Sequence, residues 1–473
     1  MEHLASRAER AANVPFVLGF GVLVILAKLP TLGTAAYWDE MGYLAQAKWL
    51  SEVNLLRVVP GLHPPAAFWG HPPGLHLAAA ILWKAFGPSV PVAHFLIACF
   101  AAVGVCSTFV LARSLYGLTA ACLAALLLLL SPQFLAQAGF FLADIPVMSL
   151  GVLSVYLALR DRYAAYVFCA SCMVLLKETS IALLAAVIAY RFLFSGRIPR
   201  ERFVDTVKYS VPLVVIGAYV ALQKLTTGKF FFIYDFEFDE LFVLSARTAG
   251  VQFVRITRWL FLEQYRWILS LAILVNFAIT PAARRRRELW LFALIALLSG
   301  YSFSVLYYWP RYLLPVMPFF YILGAVSLIE LVRSSRMQAA IGVAMVALMA
   351  SSLSRQRFDG NGENNLAYRH VVNMHTSLSK DIATRFPSAR ILTTWPTATE
   401  LSDPLLGYVT RPLRVVWFNS DSDLARADLV LVSSPAPDVS ARLESLARRN
   451  QWRLLAQLRN GSIVMELYGP PGP

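Results

Sequence analysis

The sequence predicts an all-α, polytopic membrane domain over residues 1–353 and a small C-terminal α/β domain over residues 354–473. Hydrophobic residues make up 58% of the chain and charged residues only 15%, with a mean hydropathy of +0.58. Soluble globular chains hold roughly 45–50% apolar and about 25% charged residues, so this apolar excess needs lipid as its solvent. After residue 353 the composition changes abruptly to that of a soluble domain.

The apolar runs predict about eleven membrane-spanning helices, because a spanning helix needs roughly 17–25 mostly apolar residues. Several runs are short and need flanking residues to cross the bilayer. The run 73–87 is ambiguous because its length is below this range. The predicted spans are 14–33, 90–112, 117–136, 145–159, 163–176, 179–194, 208–224, 266–281, 289–306, 312–332 and 337–353.

Basic residues decide whether the run 73–87 crosses the membrane. If it does not, the Arg cluster at 284–287 and the other strong basic clusters all fall on one face, as the positive-inside bias requires. We therefore expect 73–87 to be an interfacial helix with Trp83 and Lys84 at headgroup depth. The N-terminus is then cytoplasmic, and the C-terminal domain is extracytoplasmic, in a multi-pass protein of the cell membrane.

The formal net charge of +14 follows from the same clusters. In a soluble protein this charge would suggest nucleic acid. Here the Arg residues sit between apolar runs, so topology explains the charge and no nucleic-acid partner is expected. The first apolar run lacks a small-residue cleavage site, so we expect a retained span and not a signal peptide. All five Cys lie in apolar stretches, which indicates no disulfide framework.

Three segments are predicted to lie outside the cytoplasm: the first outer loop 34–89, the loop 225–265 and the tail 354–473. The loop 225–265 carries four acids between residues 235 and 240. The tail alternates apolar and polar residues in short runs, which is typical of strands. Its predicted strands are 389–395, 412–418 and 428–434, with an amphipathic helix at 440–450 and a hairpin turn at Asn460-Gly461.

Acidic residues on the outer side are the first candidates for chemistry. Asp39 and Glu40 follow the first span directly, where solvated loop acids are also common. Asp144 is the only acid between residues 52 and 161, within a strongly apolar region. A charged group near lipid costs on the order of 2.5–3.5 kcal/mol, so Asp144 is a functional candidate by default. Asp144 also suits the start of the helix that follows it, and the two roles are compatible.

Two outer cations depart from the positive-inside bias. Lys177 can meet a lipid phosphate as a point charge, although snorkelling to headgroups would also explain it. Arg311 can bind a phosphate through two hydrogen bonds. His71 stands in one of two His-Pro-Pro tripeptides, the other beginning at His63, and can meet a phosphate or a metal or remain an exposed loop histidine. These acids and cations all map to the outer face of the membrane. A separate structural role for each residue would not explain why they occur together there.

In order and placement these residues resemble the GT-C fold glycosyltransferases over roughly residues 14–335. The most similar group is the superfamily of protein O-mannosyltransferases and 4-amino-arabinose lipid A transferases, with the galacturonic acid transferases of lipopolysaccharide. Each motif alone is weakly specific, whereas their order is fairly specific. The motifs are Trp38-Asp39-Glu40 with Tyr43, Pro72-Pro73, Asp144 with Pro146, Lys177-Glu178 and Arg311-Tyr312-Leu313-Leu314-Pro315-Val316-Met317-Pro318.

The resemblance implies a polyprenyl-phosphate sugar donor and inverting transfer of a hexose or pentose to a lipid, glycan or protein acceptor on the outer face. It implies that Asp39 is the general base. Glu40 and Asp144 would position the acceptor, orient Asp39 or hold a divalent cation. The family varies in metal dependence, so Mg²⁺ or Mn²⁺ stays open. Lys177 and Arg311 would stabilise the leaving phosphate.

Further roles come from the same resemblance. The resemblance implies that His71 contacts the donor phosphate. The family often has a Lys at this position before the Pro pair, so His71 departs from the family pattern. Tyr43, Glu178 and Tyr312 are expected to contact the substrate. The tail 354–473 is the least family-like part, and we expect it to select the acceptor.

Two other functions fit parts of the pattern. A transporter or flippase of a lipid-linked sugar would also need charges and a lipid groove. The sequence shows no inverted repeat, however, and its charges crowd one face and not the midplane. A non-catalytic scaffold would bind a partner through its C-terminal domain. Acids scattered around the outer surface would favour the scaffold, and acids and cations facing one cavity would favour the enzyme.

Overall fold

A computed structural model describes residues 2–62, 71–194, 198–230, 245–284, 286–306, 308–358, 363–433 and 437–470. Within these ranges helices dominate up to residue 354, and a five-stranded sheet lies in the C-terminal part. The small C-terminal sheet predicted from the sequence is therefore confirmed. His63 and the four acids between residues 235 and 240 lie outside the described residues.

Local sequence fixes where several helices end. The helix that ends at Tyr116 stops at Gly117, and the helix that ends at Thr227 stops at Gly228, both with positive φ, which glycine adopts without steric cost. The helices of the N-terminal part are α1 (Glu2–Lys28), α2 (Glu40–Glu52), α3 (Gly74–Phe86), α4 (Val90–Tyr116), α5 (Leu118–Leu129), α6 (Pro132–Gln137), α7 (Asp144–Leu159), α8 (Tyr163–Val174), α9 (Ile181–Phe194), α10 (Pro199–Tyr209), α11 (Val211–Thr227), α12 (Ala246–Phe261), α13 (Arg266–Ile279), α14 (Pro281–Arg284), α15 (Glu288–Ile295), α16 (Met317–Glu330) and α17 (Ser335–Ser354).

Among the described residues, four helical segments are long and apolar enough to cross a membrane: Asn13–Thr31, Val90–Tyr116, Pro310–Glu330 and Ser335–Ser354. Two bent pairs, α10 with α11 (43°) and α12 with α13 (88°), raise this number to six if each pair is one span. Several other predicted spans are shorter helices or are interrupted. The run 117–136, for example, breaks into α5 and α6 next to Pro132. The number of eleven spans therefore stays a prediction.

Helix α4 lies at the centre of the helical part and packs against α1, α5 and α7. Its Gly104 lets α7 approach closely, because a Cβ at this position would lie 2.6 Å from both Met148 Cε and Ser149 Oγ. This contact fixes α7, whose first residue is Asp144. The buried packing of α4 thus positions one of the candidate acids.

The C-terminal sheet has the strand order β2-β1-β3-β5-β4. Its first three strands are parallel, whereas β5 is antiparallel to both β3 and β4. One face packs against α18 and the other against α20, so the sheet is buried between helices. The register pairs Asn460 with Ile463, which places a hairpin turn at Gly461 and Ser462. The elements are α18 (Tyr368–Arg385), β1 (Arg390–Thr393), α19 (Thr397–Ser402), β2 (Arg414–Trp417), β3 (Leu429–Ser433), α20 (Pro437–Arg449), β4 (Arg453–Asn460) and β5 (Ile463–Gly469).

The C-terminal part contacts the segment between α1 and α2 directly. The backbone N–H of Ala36 donates to the carbonyl of Leu406 at 2.9 Å, and the Tyr408 hydroxyl donates to the carbonyl of Ala36 at 2.8 Å. The rings of Trp38 and Trp395 meet edge to face at 4.2 Å. These contacts hold the backbone immediately before Asp39.

We expect Tyr408→Phe to lower the thermal unfolding midpoint of the purified protein, because it leaves the buried Ala36 carbonyl without this hydrogen bond. A buried polar group left unsatisfied costs about 1–3 kcal/mol. Tyr163→Phe, at a partly exposed tyrosine, is the matched control. Equal midpoints for wild type and Tyr408→Phe would contradict this account of the contact.

Candidate active site

Arg311 lies in a 3₁₀ turn, Pro310–Leu313, ahead of α16, and carboxylates surround its guanidinium. Its Nη2 donates to Asp39 Oδ2 at 2.6 Å, and its Nη1 donates to a carboxylate oxygen of Glu363. Its Nε lies 3.6 Å from Asp144 Oδ2. Arg311 is buried, so these three carboxylates replace the water that would otherwise solvate the charge.

Lys177 adds a second cation beside Arg311. It is an extended residue before the 3₁₀ turn Glu178–Ser180, and its Nζ donates to Asp144 Oδ1 at 2.8 Å. The same Nζ lies 4.3 Å from the centre of the Tyr312 ring, a cation–π contact. Asp144 is thereby held between Lys177 and Arg311, at the N-terminus of α7, where the helix dipole also favours a carboxylate. We call Asp39, Asp144, Lys177, Arg311 and Glu363 the ion cluster.

Asp39 is the most accessible carboxylate of the ion cluster. Its side chain is 38% exposed, compared with 6% for Asp144 and 5% for Glu363. Trp38, just before it, has a φ of 54°, in the left-handed region that a bulky residue rarely adopts. This backbone conformation is held by the Trp38–Trp395 contact. The fold thus presents Asp39 to solvent while Arg311 holds one of its oxygens.

Glu40 turns the other way and is fully buried. Its Oε1 lies 2.6 Å from His94 Nε2 and accepts from the backbone N–H of Phe141 at 2.7 Å, and its Oε2 accepts from the N–H of Tyr37 at 3.0 Å. Glu40 therefore ties the start of α2 to α4 and to the turn before α7. These hydrogen bonds position the neighbouring Asp39 and run to none of the ion-cluster residues.

His71, Glu178 and Tyr43 lie next to the ion cluster. His71 Nδ1 is 2.8 Å from Glu178 Oε2, and the Tyr43 ring lies 6.1 Å from the His71 ring. Burial alone would raise the pKa of Glu178. The lowering by His71 and Lys177 is larger, so the pKa of Glu178 lies below its usual value. Burial, and after it the charge of Asp144, raises the pKa of Tyr43 well above 10. Tyr43 therefore keeps its proton and can donate a hydrogen bond.

Glu363 is the cluster residue that the sequence did not reveal. It follows the last apolar helix, α17, in a polar stretch of Gly and Asn that looks like an ordinary linker. Its backbone carbonyl accepts from Gln137 Nε2 of α6 at 2.9 Å, which anchors Glu363 against the helical part. A lone acid in a polar loop carries no pattern from which its burial could be inferred.

A large apolar cavity of about 480 Å³ lies between α12, α13, α15 and α16. Its walls include Phe261, Phe277, Ala293, Leu297 and Phe320. Residues 296–304 follow α15 and form a π-helical turn and a 3₁₀ turn. One face of this segment lines the apolar cavity. Ser299 and Phe303 of the same segment line a small cleft at Asp144 and Lys177. The apolar cavity and the ion cluster thus share one wall.

A second cavity, of about 470 Å³, is more polar than the first and reaches the Arg311 turn at Pro310. Arg255, Arg258 and Trp259 line it from α12, and Tyr308, Trp309 and Pro310 line it from the turn. Arg258 is paired with Glu263 at 2.9 Å. Among the described residues no group of three or more His, Cys, Asp or Glu could hold a metal ion.

Similarity to known proteins is found in structure and not in sequence. ArnT from Cupriavidus metallidurans, solved with bound undecaprenyl phosphate, matches with a TM-score of 0.61 and 16% identity, covering 96% of this chain and 98% of that chain. The oligosaccharyltransferase AglB from Archaeoglobus fulgidus, solved with an inhibitory peptide and a dolichol-phosphate, matches with a TM-score of 0.52 and 11% identity, covering 90% and 70%. No protein-family model and no curated protein sequence matches. The chain has the GT-C fold of these two proteins.

We expect Lys177→Met to destabilise the protein strongly, because Asp144 would lose its nearest cation while staying buried. Breaking a buried ion pair from one side costs about 3–5 kcal/mol. The double variant Lys177→Met with Asp144→Asn should recover much of this loss, since it removes the uncompensated charge as well. Thermal unfolding of the three proteins gives the comparison, and a double variant less stable than Lys177→Met would contradict the ion-pair interpretation.

Proposed function

We propose that this protein is an inverting glycosyltransferase that moves a sugar from a polyprenyl-phosphate donor to a lipid, glycan or protein acceptor on the extracytoplasmic face of the membrane. The observation that carries the proposal is the ion cluster. Two buried cations, Arg311 and Lys177, lie beside an accessible carboxylate, Asp39, and an apolar cavity shares a wall with them. The fold shared with the two lipid-phosphate-binding structures supports the same assignment.

In this proposal the cations receive the donor phosphate. Arg311 has five N–H donors and Lys177 three, more than their hydrogen bonds to the cluster carboxylates use. Negative charge grows on the phosphate as the bond to the sugar breaks, and fixed cations in a buried site stabilise that charge. Tyr312, stacked on Lys177, keeps the ammonium group in place.

Asp39 is proposed as the general base. It would take the proton of the acceptor hydroxyl while the hydroxyl oxygen bonds to the anomeric carbon, and the electron pair of the broken bond stays with the phosphate. Attack opposite the phosphate inverts the anomeric centre. Arg311 holds one Asp39 oxygen at 2.6 Å, which leaves the other oxygen to face the acceptor. Glu40 positions Asp39 through its buried hydrogen bonds.

The two cavities suit the two substrates. The apolar cavity between α12, α13, α15 and α16 fits the polyprenyl chain, because its walls are almost entirely aromatic and aliphatic. The polar cavity offers arginine and aromatic side chains, which bind the hydroxyls and ring faces of a sugar-bearing acceptor. Pro310 is common to its wall and to the turn that carries Arg311, so an acceptor held there lies near the ion cluster.

We expect Asp39→Asn to lower the rate of sugar transfer by about 10²–10⁴-fold, because the amide cannot accept the proton. Purified protein in detergent would be given a panel of polyprenyl-phosphate sugars and an extract of membrane acceptors. Binding of undecaprenyl phosphate should change little in the same variant. If both proteins bind the donor equally and neither consumes it, the result would favour a transporter or a scaffold over an enzyme.

We expect Ala293→Trp to raise the KM for a long-chain donor by about tenfold, because the added ring fills the apolar cavity. A donor with a short prenyl chain should be affected much less. Leu274→Trp, at an exposed position of α13 away from the cavity lining, serves as the matched control. Equal effects on long-chain and short-chain donors would contradict the role of this cavity.

A further inference from the structure

Glu363 brings a carboxylate from the C-terminal part into the interior of the protein. One of its oxygens, Oε2, accepts from Arg311 Nη1, and only 4% of the residue is exposed. The Gln137 side chain holds its backbone carbonyl at 2.9 Å. Its other oxygen, Oε1, is buried and has no hydrogen-bond partner within the described ranges. Among the residues that the structure describes, one oxygen is thus satisfied and the other is not.

The charges of the ion cluster do not balance if every carboxylate is ionised. Asp39, Asp144 and Glu363 would carry three negative charges against the two positive charges of Arg311 and Lys177. A buried carboxylate without full compensation takes up a proton instead of remaining charged.

Of the three carboxylates, Glu363 is the one with the least support for a charge. Asp144 has Lys177 at 2.8 Å as well as Arg311, and Asp39 is partly open to water. The pKa of Glu363 is raised to about 8. Burial is the main cause, Arg311 opposes the rise, and the charges of Asp39 and Asp144 add to it. The proton then sits on Oε1, since Oε2 accepts from Arg311.

We propose that Glu363 acts as a neutral carboxylic acid that donates a hydrogen bond from Oε1 to the donor phosphate, beside Arg311. This role rests on the proposed function. During transfer the acceptor proton goes to Asp39 and the electron pair of the sugar–phosphate bond goes to the phosphate, while Glu363 keeps its proton. A neutral donor adds a hydrogen bond to the growing negative charge without adding a charge of its own.

The direction of the pH effect follows from this arrangement. Below the Glu363 pKa of about 8 the acid is neutral and donates to the phosphate. Above it the carboxylate is ionised and repels the phosphate, so binding weakens as pH rises. If only the neutral form binds, affinity falls about tenfold one pH unit above the pKa.

The test measures the Kd of undecaprenyl phosphate and the transfer rate from about pH 6 to about pH 9.5. Wild type should lose affinity and rate with a midpoint near pH 8. Glu363→Gln retains an N–H donor and cannot ionise, so it should stay within about threefold of wild type at neutral pH and show no such loss. Glu363→Ala should bind about tenfold more weakly than wild type at neutral pH, and, having no group to ionise, should show no loss near pH 8.

Asp421→Asn, at a surface acid paired with Arg442, is the matched charge control and should keep the wild-type pH profile. The inference is overturned if Glu363→Gln binds as weakly as Glu363→Ala, or if it keeps the loss near pH 8. Thermal unfolding midpoints show whether each variant is folded. If phosphate binding shows the expected pH profile but no sugar is transferred, only the proposed enzymatic function is refuted. If sugar is transferred but binding lacks that pH profile, only the proposed role of Glu363 is refuted.

Discussion

The buried guanidinium of Arg311 is the group on which the candidate active site depends. Arginine stays protonated at any accessible pH, so its removal from water requires compensating carboxylates. Asp39 before α2 and Asp144 at the start of α7 supply this charge, and the carboxyl group of Glu363 after α17 accepts a further hydrogen bond, so the partners come from segments far apart in sequence. The same arrangement leaves N–H donors of Arg311 unused and Asp39 partly exposed, and the proposed function uses both features.

The C-terminal part contacts the backbone next to this site. Its Leu406 and Tyr408 hold the backbone of Ala36, and Trp395 packs on Trp38, so it helps to fix the strained conformation that presents Asp39. The segment that leads into it supplies Glu363 to Arg311.

The sequence revealed several of the clustered residues better than it revealed their contacts. Asp144, Lys177 and Arg311 stood out because charges are costly near lipid, and the structure brings them together with Asp39, while their roles remain proposals. Glu40 was expected to position the acceptor, orient Asp39 or hold a cation. Consecutive residues at a helix start point in different directions, and Glu40 faces His94 in the core. Glu363 gave no signal, because a contact to Arg311 across a polar loop has no periodicity. The span number stayed open because breaks such as that before Pro132 shorten the helices.

The most direct test of the central claim is an experimental structure of the protein in a lipid nanodisc with undecaprenyl phosphate. We expect the phosphate to lie within hydrogen-bonding distance of Arg311 and Lys177, with the prenyl chain in the cavity between α12, α13, α15 and α16. A phosphate bound instead in the polar cavity at Arg255 and Arg258, with the ion cluster unchanged, would contradict it.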